Sequence, residues 1–198
     1  MFQFENEYKQ NNFKLIAGMD EAGRGPLAGP VVCAAVIMPL EKKNIIKGVD
    51  DSKKLTEKKR EELFEKITKK AISYSVCFVD EKTIDEINIL NATKQGMKNC
   101  VETLDKKPDI VLIDAVKLDL PVLSKSIIHG DELSYSIACA SILAKVSRDR
   151  FMKQISEKYP NYLFAQHKGY GTKLHIELLK KFGASEIHRK TFIKHFVE

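Results

Sequence analysis

The order of hydrophobic patterns along the chain predicts an α/β fold, a mixed sheet flanked by helices. Three observations carry that expectation. Two strand-like apolar runs, Phe13 to Ala17 and Val31 to Met38, flank a glycine-rich bend. Four consecutive apolar residues, Ile110 to Ile113, follow Pro108 and end in Asp114, as a buried strand would. Helical spacing fills the stretches between and after them, so helices alternate with strands. At 198 residues the chain is large enough for a substantial core, and one domain over 1–198 is expected.

Taken in order, residues 1–12 are polar and read as a short lead-in. The first two strands flank the bend and suit an antiparallel, hairpin-like pair. Ser52 or Thr56 can cap a helix to about Ala71, with Leu55, Leu63, Phe64 and Ile67 for its buried stripe. Ile72 to Val79 alternates as a third strand. Helical spacing resumes from Thr83 to Leu104, with a break expected near Leu90-Asn91. After the strand ending at Asp114, Lys125 to His129 reads as a further short strand, closed by Gly130-Asp131. A long helix is expected from about Leu133 to Lys158, rich in small residues at first and charged later. Pro160-Asn161 ends it. The part from about 160 to 198 reads as helical, with Gly183 closing one helix.

The bend itself concentrates chemistry. Gly18-Met19-Asp20-Glu21-Ala22-Gly23-Arg24-Gly25-Pro26-Leu27-Ala28-Gly29-Pro30 places two adjacent carboxylates at a strand end. They repel unless a cation sits between them, while an arginine and bare backbone N–H groups nearby suit a phosphate. Gly23 to Ala28 also matches a dinucleotide-binding fingerprint, but that motif needs a following helix, and here Pro30 and an apolar strand follow. Asp114 and Asp131 stand at two further element ends. Acids in such places are often only turn residues. Each of these four, however, follows an apolar run that would carry it inward. Hard oxygen donors without a histidine or cysteine set favour Mg²⁺ or Mn²⁺ over zinc. Two such ions roughly 4 Å apart would clamp the attacking and leaving oxygens of a phosphodiester displacement.

Bulk composition narrows the classes. A formal net charge of +6 favours polyanionic partners. Cys33, Cys77, Cys100 and Cys139 form no CxxC pair and lie in apolar surroundings, so buried free thiols of a reducing cytoplasm are expected. The first residues lack a signal-peptide pattern, no run is long enough to cross a bilayer, and the five histidines show no metal-ligand spacing.

Read as a whole, these motifs resemble one family. Asp20 to Val31 closely resembles the opening motif of the type 2 ribonucleases H (ribonuclease HII). The similarity continues through Asp51-Ser52-Lys53-Lys54-Leu55, Asn91-Ala92-Thr93, Ile113-Asp114 and Gly130-Asp131. It extends to Ala140 to Asp149 and His167 to Thr172, in the family's order along nearly the whole chain. The resemblance implies a ribonuclease H-like fold with a helical C-terminal part. It implies an endoribonuclease that cuts RNA–DNA hybrids, and the 5′ side of ribonucleotides embedded in duplex DNA, leaving 3′-hydroxyl and 5′-phosphate ends. A monomer is expected, with no membrane partner.

The resemblance also implies site residues. Asp20, Glu21, Asp114 and Asp131 would hold the two ions, Asp20 bridging them. Gly23-Arg24-Gly25 and Tyr170 would read the junction where a ribonucleotide is followed by a deoxyribonucleotide, through the 2′-hydroxyl. Ser52 and Ser141 are expected to contact substrate, and Lys53, Lys145, Arg148, Lys168 and Arg189 to contact phosphates. Asp149, mid-helix beside Arg148, suits a structural ion pair better. Three residues depart from the family's common pattern: Ala115 for glycine, His129 for lysine and Cys139 for alanine.

Overall fold

A computed structural model describes residues 1–197. Strands β1 (Ile16–Ala22), β2 (Val31–Ile37), β3 (Ser73–Val79), β4 (Ile110–Asp114) and β5 (Leu123–Ile127) form one mixed sheet in the order β3-β2-β1-β4-β5. The β1–β2 and β2–β3 pairs are antiparallel, whereas β1–β4 and β4–β5 are parallel. In the β1–β4 register Met19 faces Ile113, so the next residues, Asp20 and Asp114, emerge side by side at one sheet edge. That pairing joins acids 94 positions apart.

Helices cover both faces. Helix α5 (Tyr135–Lys158) lies on one, with α2 (Glu57–Lys70) beside it, and their apolar residues share a core with Ala34 and Val36. Helix α3 (Glu81–Glu102) covers the other, where Met97 and Cys100 pack on Ala17, Met19 and Cys33. All of β2 is therefore buried, which explains its unbroken apolar run. The first half of α5 is buried on every side. Its small residues permit a close crossing of β1: a Cβ on Gly18 would stand 2.0 Å from the Ser136 carbonyl carbon. The short α4 (Gly130–Leu133) precedes α5, and α6 (Phe164–His167), α7 (Lys173–Phe182) and α8 (Lys190–Val197) follow it. These last helices pack against Leu27 and Ala28, beside the glycine-rich bend.

Local capping follows the sequence in most places. Thr56 caps α2 through the Lys59 N–H, and Ser134 caps α5 through the Ile137 N–H. Five details differ from expectation. Strand β1 starts at Ile16, not Phe13, and runs on to Ala22, into what reads as the bend, because its pairing with β2 continues to Ala22 opposite Val32. The supposed lead-in contains helix α1 (Gln3–Gln10), docked by Glu5, whose buried carboxylate accepts from Ser134 Oγ at 2.6 Å and Ser136 N–H at 2.8 Å. The break in α3 falls at Asn88, φ 65°, because its side-chain oxygen accepts from the N–H groups of Leu90 and Asn91 and so recaps the helix. Strand β5 starts and ends two residues earlier than the pattern suggested, since His129 turns left-handed at φ 55° before α4. Cys77 is half-buried beside the Ser75 and Thr103 hydroxyls, whereas the other three thiols are buried. Among the described residues, no helix is long and apolar enough to cross a membrane.

Candidate active site

Three carboxylates converge at the sheet edge. Asp20 lies within β1, two residues before its end, Asp114 ends β4, and Asp131 sits in the first turn of α4. One oxygen from each lies within 4.8 Å of the others. Asp114 also accepts the Gly130 N–H at 2.8 Å, which ties the end of β4 to the start of α4. Asp20 Oδ1 accepts the Glu21 N–H at 2.7 Å, fixing the first side chain against its neighbour's backbone.

Electrostatics make this cluster costly without a cation. Burial, then the charges of Glu21 and Asp114, push the Asp20 carboxyl well above its ordinary range. Burial likewise raises Glu21, partly offset by Arg24, whose guanidinium lies 3.4 Å away. Asp131 is raised by burial and by the charges of Asp114 and Asp51, against the opposing ammonium of Lys53 at 3.7 Å. The other Glu21 oxygen, Oε2, is buried with no hydrogen-bond partner. An all-oxygen set of mutually repelling carboxylates, one with an orphaned buried oxygen, fits a hard divalent cation.

A cleft of about 200 Å³ opens beside the cluster. Asp20, Glu21 and Asp114 form one wall, Gly23 and Arg24 a second, and Ser52, Lys53, Ser141, Lys145 and Tyr170 complete it. Ser141 Oγ donates to Ser52 Oγ at 2.7 Å, joining α5 to the Ser52–Lys54 turn. The Tyr170 ring is exposed and lies 5.8 Å from Lys145 Nζ and 5.6 Å from the Arg148 guanidinium. Gly25 lies in the same bend with open space where a Cβ would be. Packing therefore does not demand glycine there, whereas close approach by a ligand would.

Two expectations are corrected. Arg148 and Arg189 do not face solvent as phosphate contacts; both are wholly buried behind the bend. Arg148 donates to the carbonyls of Pro30 (3.0 Å), Lys168 (2.9 Å) and Ala28 (3.1 Å). Arg189 donates to those of Gly29 (2.9 Å), Arg24 (2.9 Å) and Gly23 (2.6 Å). The two forks hold the bend to the Lys168 turn from below, satisfying carbonyls that the chain's sharp reversals leave free. Burial, then the nearby Arg148 charge, pulls Arg189 down to about 9. Gly23 shows why this packing demands glycine: φ is 96°, and a Cβ would meet Arg148 Nε at 2.1 Å. Lys168 lies outside the cleft wall, its ammonium turned onto the Ala165 carbonyl. Asp149 is ion-paired with Lys145 at 2.7 Å and lies 3.9 Å from Arg60, away from the carboxylate cluster.

Sequence reasoning singled out no role for Asp51. It is buried, accepts the Lys53 N–H at 2.9 Å and adds negative charge beside Asp131. Its place at the head of Asp51-Ser52-Lys53-Lys54-Leu55 was the available signal. Of the departures from the family pattern, Ala115 adopts φ 49°, a left-handed conformation that glycine accepts more easily. Cys139 is buried in the α5 core, and His129 opens α4.

A mixed sheet that gathers carboxylates at one edge, beside a glycine bend and basic side chains, defines a nuclease-type hydrolase. Comparison with known proteins gives the family: residues 17–195 match the model of ribonuclease HII, and the chain belongs to that family. It is 59% identical to the ribonuclease HII of Caldicellulosiruptor saccharolyticus over 197 residues, covering 99% of this chain and 95% of that relative. It is 52% identical to a Bacillus cereus (strain AH820) ribonuclease HII, over 97% of this chain and 74% of the relative. Among solved structures, ribonuclease H2 from Pyrococcus horikoshii superimposes with a TM-score of 0.78 at 28% identity, covering 93% of this chain and 97% of that one. A ribonuclease HII from Archaeoglobus fulgidus, solved with PCNA, gives 0.79 at 27% identity and the same coverage.

Proposed function

We propose that this chain cleaves the RNA strand of RNA–DNA hybrids, and duplex DNA on the 5′ side of an embedded ribonucleotide. In this reading it hydrolyses the phosphodiester to 3′-hydroxyl and 5′-phosphate ends, acting as a monomer in the cytoplasm. The observation that carries the reading is the convergence of Asp20, Asp114 and Asp131 oxygens within 4.8 Å, beside a cleft walled by Gly23, Arg24 and Tyr170.

Asp20, Glu21, Asp114 and Asp131 would hold two divalent ions, Mg²⁺ or Mn²⁺. Such ions make water a better nucleophile at neutral pH and neutralise charge on a phosphodiester in its transition state. The protein's own groups do the rest. Lys53, its side chain largely exposed at the cleft, offers a point charge to a phosphate. The Gly23-Arg24-Gly25 backbone can approach a ribose closely, with the far carbonyls of Gly23 and Arg24 already engaged by Arg189 and so held in place. Tyr170 presents a ring face and a hydroxyl opposite that bend, suited to the sugar that follows the ribonucleotide.

The test is a labelled DNA duplex with one embedded ribonucleotide, and a matched RNA–DNA hybrid, each incubated with Mg²⁺, Mn²⁺ or EDTA. Metal-dependent cutting of both, with a single product ending 5′ of the ribonucleotide, is expected. An intact ribonucleotide duplex, or cutting that persists in EDTA, would overturn the reading.

A further inference from the structure

Three of the five histidines gather behind the cleft, in a cluster that the chemistry above does not use. His167 ends α6, His175 lies in the first turn of α7, and His188 lies between α7 and α8. All three are buried, and the rings of His167 and His175 stack with centroids 4.3 Å apart. Each belongs to a segment next to Tyr170 or to the loop returning toward Arg189.

Their hydrogen bonds permit one proton arrangement. A backbone carbonyl only accepts, so the 2.9 Å contact between His175 Nδ1 and the Tyr170 carbonyl requires a proton on Nδ1. The neutral ring then leaves His175 Nε2 bare, an acceptor. His188 Nε2, 3.1 Å away, must therefore carry its proton and donate. That leaves His188 Nδ1 bare, as an acceptor for the Ser185 N–H at 2.9 Å. The same tautomers follow from the other end, because the Ser185 N–H can only donate. His167 is fixed independently: Nδ1 accepts the Gly169 N–H at 3.2 Å and Nε2 donates to the Tyr162 carbonyl at 2.8 Å. Neutral rings are what burial favours, and it pulls both His175 and His188 down to about 4.

From this geometry we propose that His175 and His188 are positioning residues, a directional hydrogen-bond relay that fixes the backbone of Tyr170 and so aims its ring into the cleft. The proposal rests on the reading of Tyr170 as the group that senses the ribonucleotide junction. The relay runs from the Ser185 N–H through both imidazoles to the Tyr170 carbonyl. It ties the loop after α7 to the loop before it. The ring of Tyr170 is itself exposed, so its direction depends on how its backbone is held. Two further bonds, the Tyr170 N–H to the His167 carbonyl and the Leu27 N–H to the Gly169 carbonyl, restrain the same turn from its other side.

Two substitutions separate this role from bulk packing. His175→Asn keeps an N–H donor near the Nδ1 position but loses the acceptor facing His188. His175→Gln keeps a polar group near Nε2 and loses the donor to Tyr170. On the single-ribonucleotide duplex, His175→Asn, which keeps the bond to Tyr170 but is cut off from His188, should lose about threefold in kcat/KM, whereas His175→Gln should lose about tenfold. A double-mutant cycle supplies the second readout. In a Tyr170→Ala background, His175→Gln should cause no further loss, because the ring it aims is gone. Equal losses for the two His175 variants, or an undiminished loss in the Tyr170→Ala background, would overturn the proposal. A readout without substrate keeps it separate from the function itself. In NMR spectra, His175→Gln should shift the Gly169, Tyr170 and Gly171 resonances, His175→Asn should shift them in the same direction by a smaller amount, and imidazole ¹⁵N shifts should report the two tautomers. Should Tyr170→Ala leave junction cleavage unchanged, the function assigned to Tyr170 falls, and these spectra alone decide the relay. Unchanged Tyr170 resonances in His175→Gln, or the opposite tautomers, would overturn it.

Discussion

Replacing Asp20 by asparagine should stabilise the metal-free protein while abolishing its activity. At an effective dielectric of about 20, two carboxylate charges at the 4.8 Å limit repel by about 3.5 kcal/mol. Asp20 takes part in two of the three repulsions within its cluster, and Glu21 adds to the load. Proton uptake by Asp20 and solvent at half-buried Asp114 relieve much of this, leaving a net gain of about 2 kcal/mol for the neutral amide. For a chain of this size that corresponds to roughly 4–8 °C in Tm. Asparagine keeps an oxygen for the Glu21 N–H, so the local backbone survives the change. The sign with pH follows from linkage. Asp20, Glu21 and Asp131 all have raised folded-state pKa values, so the folded state binds their protons more readily. Wild-type stability from these groups is present at low pH and is lost as pH rises through the raised values. The advantage of Asp20→Asn should therefore be full near pH 8 in EDTA and shrink toward pH 4. Added Mg²⁺ or Mn²⁺ should raise the wild-type Tm and narrow the gap, since only a cation-binding folded state gains by mass action. The assay is calorimetric melting of both proteins across pH, with and without metal. An Asp20→Asn protein no more stable than wild type in EDTA at pH 8 would refute the electrostatic reasoning.

Three other outcomes follow from the same structure. Lys53→Ala should reduce the log–log salt slope of hybrid binding by about one unit, whereas Arg189→Ala should lower Tm sharply, because three carbonyls lose their donor; equal slope changes for both would return Arg189 to a phosphate role. Tyr170→Ala should cost roughly tenfold to a hundredfold in kcat/KM at a single ribonucleotide, from about 1–3 kcal/mol of stacking, and less on long hybrids. Little change in Tm should accompany it, since the ring is exposed; a loss that tracks melting would make Tyr170 a loop anchor, and Tyr170→Phe separates the ring from the hydroxyl. Ala115→Gly should raise stability by about 1 kcal/mol by relieving the left-handed φ of 49°, and urea unfolding with an unchanged or lowered midpoint would refute this.

The strands and their acids were legible because apolar runs that end in a carboxylate leave a local signature. What the chain could not display was register. That Asp20 and Asp114 stand side by side depends on the parallel β1–β4 pairing, a contact spanning 94 positions. Helix α1 was hidden for a related reason: its sequence is polar, and its place is fixed by Glu5 reaching the start of α5. Charge was the least readable property. Lys53 and Arg148 look equally suited to phosphate in a sequence, yet one is exposed and the other is wholly buried among carbonyls. A charged side chain carries no local mark of burial, and only the tertiary fold shows which carbonyls lack a partner. The histidine cluster is likewise invisible to spacing, because its rings meet through the packing of α6, α7 and the loop before α8.

That the carboxylates at the sheet edge form a divalent-cation site can be checked by anomalous diffraction from crystals soaked in Mn²⁺. A manganese peak is expected within bonding distance of Asp20, with Asp114, Asp131 or Glu21 completing its oxygen shell, and no such peak in Asp20→Asn crystals. Manganese absent from this cluster in the wild type, or bound there equally in the variant, would contradict it.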